Sequence, residues 1–236
     1  MRSAGILFDK DGTLVDFRAT WIPAYLGVAE ELADRVRRRA TGAQLLVHVG
    51  YHVAADAFDE DSPLLWATNA MIARHWAQAP ELAGIDVLEV VERHFHDIVR
   101  YPPRPVGDVA GLFDRLRRRG LRLGVATMDA LAPTRATAEL LGIGAALDFL
   151  AGCDSGHGVK PEPGMVLAFC AACGLDPAQV AMVGDTPADL AMGRGAGCGL
   201  VIGVLTGGAP AHALAALADH VIPSIMALEP LLDIGA

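Results

Sequence analysis

Lysine is missing from the whole stretch between Phe17 and Pro103. An enzyme that used this part of the chain to form a Schiff base with its substrate would need an amine there. The absence therefore argues strongly against Schiff-base chemistry in this part of the chain.

Basic residues as a class are also scarce. The 236 residues include 19 Lys and Arg against 28 Asp and Glu, which gives a net charge of −9 and a pI near 5.3. A general nucleic-acid surface needs clustered basic side chains to meet the phosphodiester backbone. One basic run, Arg35-Val36-Arg37-Arg38-Arg39, is interpreted as the solvent face of a helix. We expect no nucleic-acid partner.

Long hydrophobic runs are missing as well, although 53% of the residues are hydrophobic and can form a sizeable core. The apolar stretch near the N-terminus is too short for a signal peptide and is followed at once by charge. The longest nearly uncharged segment, Gly195 to Ala218, is broken by glycines and Pro210. It is typical of a strand, a turn and a helix rather than a membrane span. We expect no membrane contact.

Cysteine is rare, with four residues in the chain. Without an export signal these are expected to be reduced thiols in a cytoplasmic protein. Cys170-Ala-Ala-Cys173 lies in an apolar helical stretch without a second cysteine pair, so a zinc or redox site is disfavoured there.

An alternation of strands and helices is what the sequence does contain, most regularly from about residue 108 onward. The predicted strands are Ala4 to Phe8, Leu121 to Ala126, Asp148 to Gly152, Val180 to Val183, Leu200 to Leu205 and an edge strand at Val221 and Ile222. The predicted helices are Asp108 to Gly120, a segment after Pro133 ending near Gly142, Glu162 to Cys173, and Pro187 to Arg194. Such repetition predicts right-handed βαβ units in a Rossmann-like α/β fold with a parallel sheet.

Residues 17–103 break this rhythm and are expected to be helical throughout. The predicted helices run from Thr20 into the basic run, from Ser62-Pro63 to Gln78, and from Asp86 to Val99. The proline-rich YPPRP at 101–105 then returns the chain to the strand–helix pattern. We predict an α/β core domain of residues 1–16 and 104–236 with an inserted all-helical domain of residues 17–103.

Acidic residues, hydroxyl residues and a lysine follow the predicted strands, together with two glycines and a methionine. Ligands gather at the carboxyl ends of the strands in open parallel sheets, so these residues are expected to lie around one cleft. They are Asp9, Asp11, Gly12 and Thr13 after the first strand, Thr127, Met128 and Asp129 after the second, Lys160 in CDSGHGVKPEP, and Gly184, Asp185 and Asp189 in GDTPAD.

Several carboxylates, a hydroxyl and one lysine in a single cleft suit phosphoryl transfer. Carboxylate oxygens are the ligands that Mg²⁺ prefers, and Lys160 adds positive charge for phosphoryl oxygens. An aspartate can attack phosphorus, and a second carboxylic acid can serve as proton donor and acceptor. The backbone N–H groups of the loop from Asp9 to Gly12 can form an anion nest. Asp9 taken alone is better interpreted as a turn former or helix cap, but its neighbours Asp11, Gly12 and Thr13 favour a functional role.

The same motifs carry a family resemblance. FDKDGTL, Thr127, Lys160 in KPEP, and GDTPADLAMGRGAG resemble, in order, the four motifs of the haloacid dehalogenase-like (HAD) hydrolase superfamily. The whole chain resembles the phosphoglycolate phosphatase-like branch of that superfamily, and the helical insertion resembles its helical cap domain.

The resemblance implies a role for each matching residue. Asp9 would be the nucleophile and Asp11 the general acid and base, with Thr127 and Lys160 also catalytic. Mg²⁺ would be held by Asp9, the backbone carbonyl of Asp11, and Asp185. The phosphoryl group would be bound by Asp9, Lys10, Asp11, Thr127, Met128 and Lys160, and the supporting residues would be Gly12, Thr13, Gly184 and Asp189. Family members often have Asn where this chain has Met128, so the side-chain amide of that position is missing here.

Substrate-reading residues carry no transferable motif, because specificity in such enzymes lies in the cap domain. Arg18 and Trp21, just past the first hinge, and His157, three residues before Lys160, are the candidates. His48 and His52 have helical i, i+4 spacing, but two histidines do not close a zinc site.

These observations predict a Mg²⁺-dependent phosphatase that acts on a small phosphorylated metabolite, with phosphoglycolate as the first guess, through an aspartyl-phosphate. A hexose-phosphate mutase of the same fold is the alternative, since it uses the same aspartates. A catalytically silent protein that binds a phosphorylated metabolite is a third possibility, and the intact pair Asp9 and Asp11 argues against it. A carbon–halogen hydrolase is disfavoured, because it needs neither Mg²⁺ nor a proton donor at Asp11. The sequence does not predict an oligomeric state.

Overall fold

The computed structural model describes residues 3–232, and these fall into two compact units. One unit comprises the residues up to Phe17 together with those from Arg104 onward, and the other runs from Arg18 to Pro103. The strands are β1 Gly5–Phe8, β2 Tyr51–His52, β3 Ala57–Phe58, β4 Arg122–Ala126, β5 Phe149–Ala151, β6 Val180–Gly184, β7 Leu200–Val204 and β8 His220–Ile222. The α-helices are α1 Phe17–Arg35, α2 Gly42–His48, α3 Asn69–Trp76, α4 Val87–Phe95, α5 Val109–Arg118, α6 Leu131–Leu140, α7 Gly164–Cys173, α8 Pro187–Ala196 and α9 Ala211–Ala215.

A parallel sheet of six strands organises the first unit, in the order β5-β4-β1-β6-β7-β8. The central strand β1 lies between β4 and β6, with Phe8 in register with Val125 on one side and Val183 on the other. Strands that pair in parallel need crossover connections, and α5 to α9 supply helices for them. The predicted α/β class with a parallel sheet is confirmed.

Apolar side chains cover both faces of this sheet, because successive strand residues point to opposite sides. Ile6 and Phe8 belong to the core cluster that includes Phe113 of α5. Leu7, between them, belongs to the opposite cluster with Phe169 of α7. A sheet buried on both faces exposes polar groups mainly at its strand ends, which is where its function must lie.

The second unit is mainly helical and has its own core. The indole Nε1 of the fully buried Trp76 donates to the carbonyl of Leu45 at 2.9 Å, and the hydroxyl of Tyr25 donates to that of Leu64 at 2.8 Å. The helix predicted from Ser62 is shorter than expected: a 3-10 turn comes first, and α3 begins only after its N-cap, Thr68. Across residues 3–232, no helix combines the length and the apolar character needed to cross a bilayer.

Two features of this unit differ from the expectation. An antiparallel hairpin joins β2 to β3, with Tyr51 opposite Phe58. The basic run does not coat a helix, because α1 ends at Arg35 and the next two arginines, Arg37 and Arg38, have φ of 54° and 57°. A left-handed backbone cannot continue an α-helix, so the run turns the chain instead.

Candidate active site

Three neighbouring strands deliver the central acidic and hydroxyl groups of the site. Asp9 follows β1, Thr127 follows β4 and Asp185 follows β6. The backbone N–H of Asp9 donates to the carbonyl of Val183 at 2.8 Å, and that of Thr127 donates to Ala151 at 3.0 Å. These bonds continue the sheet pattern past the strand ends, so the backbones that carry the side chains are fixed.

Asp9, Lys160 and Asp189 form a buried ion-pair cluster. The Nζ of Lys160 contacts the Oδ1 of Asp9 and lies 2.5 Å from the Oδ1 of Asp189. All three residues are buried, so each charge depends on the others for compensation. Lys160 lies in the loop between β5 and α7, and this loop places its amine beside Asp9 at the end of β1.

Two glycines, Gly12 and Gly207, leave room for the carboxylate of Asp185. A Cβ added at Gly12, whose φ is +82°, would lie 2.4 Å from the Oδ2 of Asp185, and one added at Gly207 would lie 1.7 Å from it. The hydroxyl of Thr13 also donates to its Oδ1, at 3.4 Å. Both glycines are therefore required where the carboxylate lies.

Gly184 and the start of α8 fix the last acid of the set. A Cβ at Gly184 would lie 2.3 Å from the Cβ of Asp189, so Asp189 packs directly on the strand end. Thr186 caps the helix, and its backbone N–H donates to the Oδ2 of Asp189 at 3.0 Å.

The acidic side chains fit a hard divalent cation. One acceptor oxygen each from Asp9, Asp185 and Asp189 lies within 4.8 Å of the others. The Oδ2 of Asp9 is buried and has no hydrogen-bond partner among residues 3–232. A buried carboxylate oxygen without a partner is costly unless a cation or ligand meets it.

Burial controls the electrostatics of these groups. It raises the pKa of Asp9 to about 7; Lys160 opposes that shift, and Asp189 and Asp11 add to it. Burial, and next the charge of Asp9, also raises the pKa of Asp185 well above its ordinary range. For Lys160, burial alone would lower the pKa, but Asp189 and Asp9 together raise it above its usual range. Lys160 therefore stays a cation, whereas Asp9 and Asp185 resist full ionisation.

Lys10, Asp11 and Asp129 form a second group of charges. The Nζ of Lys10 lies 2.8 Å from the Oδ1 and 2.7 Å from the Oδ2 of Asp11, and 3.3 Å from the Oδ2 of Asp129. The predicted phosphate contact of Lys10 rests on the backbone of its loop; the side-chain amine contacts two carboxylates.

The loop after β4 places Thr127 and Met128 next to this group. Thr127 is buried, and its Oγ1 accepts a hydrogen bond from the backbone N–H of Asp129 at 3.1 Å. Met128 is half-buried. The hydroxyl proton of Thr127 is not used in that bond, so it can still be donated to a ligand.

The three specificity candidates each have neighbours of their own. His157 is exposed and its ring lies 5.9 Å from that of Phe149, the first residue of β5. In the second unit, Arg18 pairs with Asp56, and Trp21 packs on aromatic neighbours.

Residues after β7 were not singled out in the sequence. The Oγ1 of Thr206 donates to the carbonyl of Gly12 at 2.5 Å, and Gly207 packs against Asp185 as described above. The available signal was the pair Gly207-Gly208 shortly after an apolar strand, which typifies a loop in close contact with another group.

Comparisons with known proteins extend over both units. A family model described as haloacid dehalogenase-like hydrolase matches residues 4–197. The chain is 32% identical over 207 residues to a phosphoglycolate phosphatase of Rhodospirillum rubrum, covering 84% of this chain and 78% of that protein. It is 27% identical over 199 residues to an N-acetylmuramic acid 6-phosphate phosphatase of Pseudomonas putida, covering 84% and 81%. A crystal structure of a predicted phosphoglycolate phosphatase from Haemophilus somnus matches with a TM-score of 0.73 at 21% identity, covering 98% of both chains.

Proposed function

The chain belongs to the haloacid dehalogenase-like hydrolases and is a phosphoric monoester hydrolase, and from that premise we propose that it hydrolyses a small phosphate monoester with Mg²⁺ through an aspartyl-phosphate on Asp9. The observation that carries this proposal is the Asp9 carboxylate itself. Its Oδ1 contacts Lys160, and its Oδ2 is buried without a partner in the described part of the chain. An acid held in this way is placed to meet an incoming phosphoryl group.

Asp9 performs the first displacement in this mechanism. A carboxylate oxygen of Asp9 forms a bond to phosphorus while the bond from phosphorus to the ester oxygen breaks. Lys160, tied to Asp9 and Asp189, offsets the negative charge that gathers where the carboxylate and the phosphoryl oxygens approach each other.

Asp11 moves the protons. It donates a proton to the leaving ester oxygen in the first step, and in the second step it takes one from a water molecule that attacks phosphorus. The bond between Asp9 and phosphorus then breaks, and inorganic phosphate leaves. Asp11 keeps about a fifth of its side chain exposed, which suits a group that must exchange protons with substrate and solvent.

Asp9, the backbone carbonyl of Asp11, and Asp185 would hold Mg²⁺, and Asp189 lies within the same cluster of acceptor oxygens. When bound, the ion supplies positive charge that offsets the repulsion among these carboxylates and a phosphate dianion. The shared cluster favours Asp189 as a partner of both Lys160 and the hydration shell of the metal.

Thr127 and the loop after β1 are proposed to bind the phosphoryl oxygens. The N–H groups of Asp9 and Gly12 are used within the fold, because they donate to the carbonyls of Val183 and Val15. Thr127 supplies the hydroxyl described above.

Phosphoglycolate is the first candidate substrate, because the curated relative from Rhodospirillum rubrum carries that activity in its name. The relative from Pseudomonas putida is named for a much larger sugar phosphate, so the family alone does not choose between them. We propose a small cytoplasmic metabolite whose identity is read by the second unit. Arg18, whose side chain is 40% exposed, is a better candidate for that reading than Trp21.

The direct test is release of inorganic phosphate from a panel of phosphoglycolate, sugar phosphates and nucleotides, with Mg²⁺ or with EDTA. The wild-type protein is expected to release phosphate when Mg²⁺ is present and not when EDTA is present. Asp9→Asn is expected to lose essentially all activity. Asp176→Asn is the matched control, since Asp176 is exposed and caps the turn before the opposite end of β6.

Activity in Asp9→Asn equal to that of the wild type would contradict the covalent mechanism. The mutase alternative is separated by product analysis, because a mutase returns the phosphoryl group to the sugar and releases little phosphate. Tight binding of phosphate esters without turnover would point to a silent binding protein.

A further inference from the structure

Both lysines of this chain lie in the site. The sequence has two lysines among its 19 basic residues, Lys10 and Lys160, and both are buried. Every other basic position that is not His is Arg. A buried ammonium needs carboxylates around it. Lys160 has Asp9 and Asp189, and its function follows from them. The function of Lys10 is not explained by the mechanism above.

We propose that Lys10 is a positioning residue, whose ammonium group fixes the carboxylate of the proton donor Asp11 by tying it to Asp129. The inference rests on the proposed phosphatase function. It goes beyond that function because it gives a task to a side chain that phosphate binding and metal binding leave unused.

The geometry of the contact supports fixation rather than simple pairing. The Nζ of Lys10 lies at nearly equal distances, 2.8 and 2.7 Å, from the two oxygens of Asp11. An ammonium that contacts both oxygens opposes rotation of the carboxylate about its last bond. A surface pair contributes little, but the Lys10 side chain is only 4% exposed, so solvent competes weakly.

Asp129 anchors Lys10 from the other side. Its Oδ2 lies 3.3 Å from the Nζ of Lys10, and its Oδ1 accepts from the N–H of Ala130 at 2.8 Å. Its own N–H donates to Thr127, which is the proposed phosphate-binding hydroxyl. The chain of contacts therefore joins the loop after β1 to the loop after β4 and relates the position of Asp11 to that of Thr127.

Proton transfer has strict positional demands, because a misplacement of about 1 Å can reduce a rate about 100-fold. The Asp11 side chain is 21% exposed, against 8% for Asp9 and 1% for Asp189. A buried cation in contact with both of its oxygens limits the positions that this carboxylate can take.

The leaving group provides a readout that a merely structural role would not change. The alkoxide that leaves an alkyl phosphate must be protonated by Asp11, whereas p-nitrophenolate leaves without a proton. Lys10→Met removes the ammonium and keeps a side chain of similar length. We expect kcat/KM for phosphoglycolate, or for β-glycerophosphate if that is the better alkyl substrate, to fall about 100-fold, because this constant reports formation of the aspartyl-phosphate, the step that expels the ester oxygen. For p-nitrophenyl phosphate we expect kcat/KM to fall at most about 5-fold. Hydrolysis of the aspartyl-phosphate uses Asp11 with either ester, so kcat does not separate the two cases.

Two further variants sharpen the test. Asp129→Asn keeps Lys10 but weakens its anchor, so we expect the same selective loss on a smaller scale. The double variant should be no worse than Lys10→Met alone, since both act through one chain of contacts. Arg117→Met is the matched control: it removes a cation that pairs with Asp148 at the opposite end of the sheet, and should leave the ratio of the two kcat/KM values unchanged.

Equal losses with both esters would overturn the proposal and leave Lys10 a structural residue. A rise of about 10-fold or more in the inhibition constant of inorganic phosphate, with kcat unchanged, would also overturn it and assign Lys10 to direct phosphate binding. If the wild-type protein hydrolyses neither ester, the proposed phosphatase function fails by itself. A crystal structure of Lys10→Met then decides the question: displaced or multiple positions of the Asp11 carboxylate support the proposal, and an unchanged position overturns it.

Discussion

Asp9 is a residue at which function and stability oppose each other. Its pKa in the metal-free fold is raised to about 7, chiefly by burial, while an aspartate in an unfolded chain titrates near pH 4. Between these values the folded protein binds more protons than the unfolded one, so its stability falls as pH rises from about 4 to 7. Without metal, the protein therefore maintains its nucleophile at a cost in folding free energy.

Replacing the charge should reveal that cost. In EDTA at pH 8, we expect Asp9→Asn to unfold about 2–4 °C above the wild type, which corresponds to about 1 kcal/mol in a protein of this size. At pH 5 the difference should shrink, because the wild-type carboxyl is then protonated in the fold. Saturating Mg²⁺ should stabilise the wild type more than the variant. Thermal unfolding across a pH series measures all three; a variant less stable than the wild type at pH 8 in EDTA would refute the account.

Gly207 is the residue that leaves room for Asp185. A Cβ there would lie 1.7 Å from the Oδ2 of Asp185, so Gly207→Ala must displace the carboxylate or the loop. We expect the Mg²⁺ concentration for half-maximal activity to rise about 10-fold or more, as for other changes beside a metal ligand. Gly195→Ala in α8 is the control, because its Cβ would meet only Pro163, at 3.9 Å. An unchanged Mg²⁺ requirement in Gly207→Ala would contradict the assignment of Asp185.

At the scale of elements, the first turn of α8 serves the helix and the site together. The Oγ1 of Thr186 accepts from the N–H of Asp189 at 3.3 Å, and the same hydroxyl donates to the Oδ2 of Asp189 at 2.6 Å. The other oxygen of Asp189 lies beside Lys160. The cap residue of α8 thereby orients Asp189, which in turn pairs with Lys160.

Thr186→Ala should therefore affect both properties. We expect a loss of about 1 kcal/mol of stability from the missing cap, together with a fall in kcat because Asp189 is released toward other positions. Thr186→Ser should restore most of both. Thr68→Ala is a matched control, since Thr68 caps α3 in the second unit and should cost similar stability without the same loss of kcat. A fall in stability alone for Thr186→Ala would show that Asp189 does not depend on the cap.

The elements of the first unit were largely predictable, because short buried strands alternate with helices that have clear start and stop residues. Gly174, which ends α7 with φ of 68°, is one such signal. The hairpin at Tyr51 to Phe58 was not predictable, since each strand has two residues and the segment between them is rich in alanine, which favours a helix. Its tip also makes a contact distant in sequence, between Asp56 and Arg18, which no local pattern reports.

The candidate site was predictable as a location because the carboxyl ends of parallel strands must meet. That reasoning placed Asp9, Asp185 and Lys160 together, and the structure has them together. It could not show that the amine of Lys10 turns toward Asp11 and Asp129, because no local pattern reports the direction of a long side chain. The roles of these residues stay predictions until the variants are measured.

At the scale of the whole molecule, the chain leaves and re-enters the first unit at neighbouring points. The N–H of Asp16 donates to the carbonyl of Arg104 at 2.7 Å, and that of Val106 donates to the carbonyl of Leu14 at 3.1 Å. The two ends of the insertion are thus held side by side by the first unit itself.

The first unit should consequently fold without residues 18–103. Replacing them by a Gly-Ser linker of about five residues closes a short gap at small entropic cost. We expect cooperative thermal unfolding and a Tm that still rises with Mg²⁺, because the sheet, both its cores and the Asp9 cluster are retained. Calorimetry with and without Mg²⁺ measures this. A protein that lacks a cooperative transition would show that the insertion is needed for the core to form.

The scarcity of lysine has a practical consequence for spectroscopy. Because Lys10 and Lys160 are the chain's two lysines, protein grown on lysine labelled with carbon-13 at the ε position gives two side-chain resonances, both from the site. The Lys10→Met variant assigns them by removing one. Titration with Mg²⁺, inorganic phosphate or a substrate then follows the two charge clusters separately, in a protein of 24.7 kDa, without assignment of any other signal.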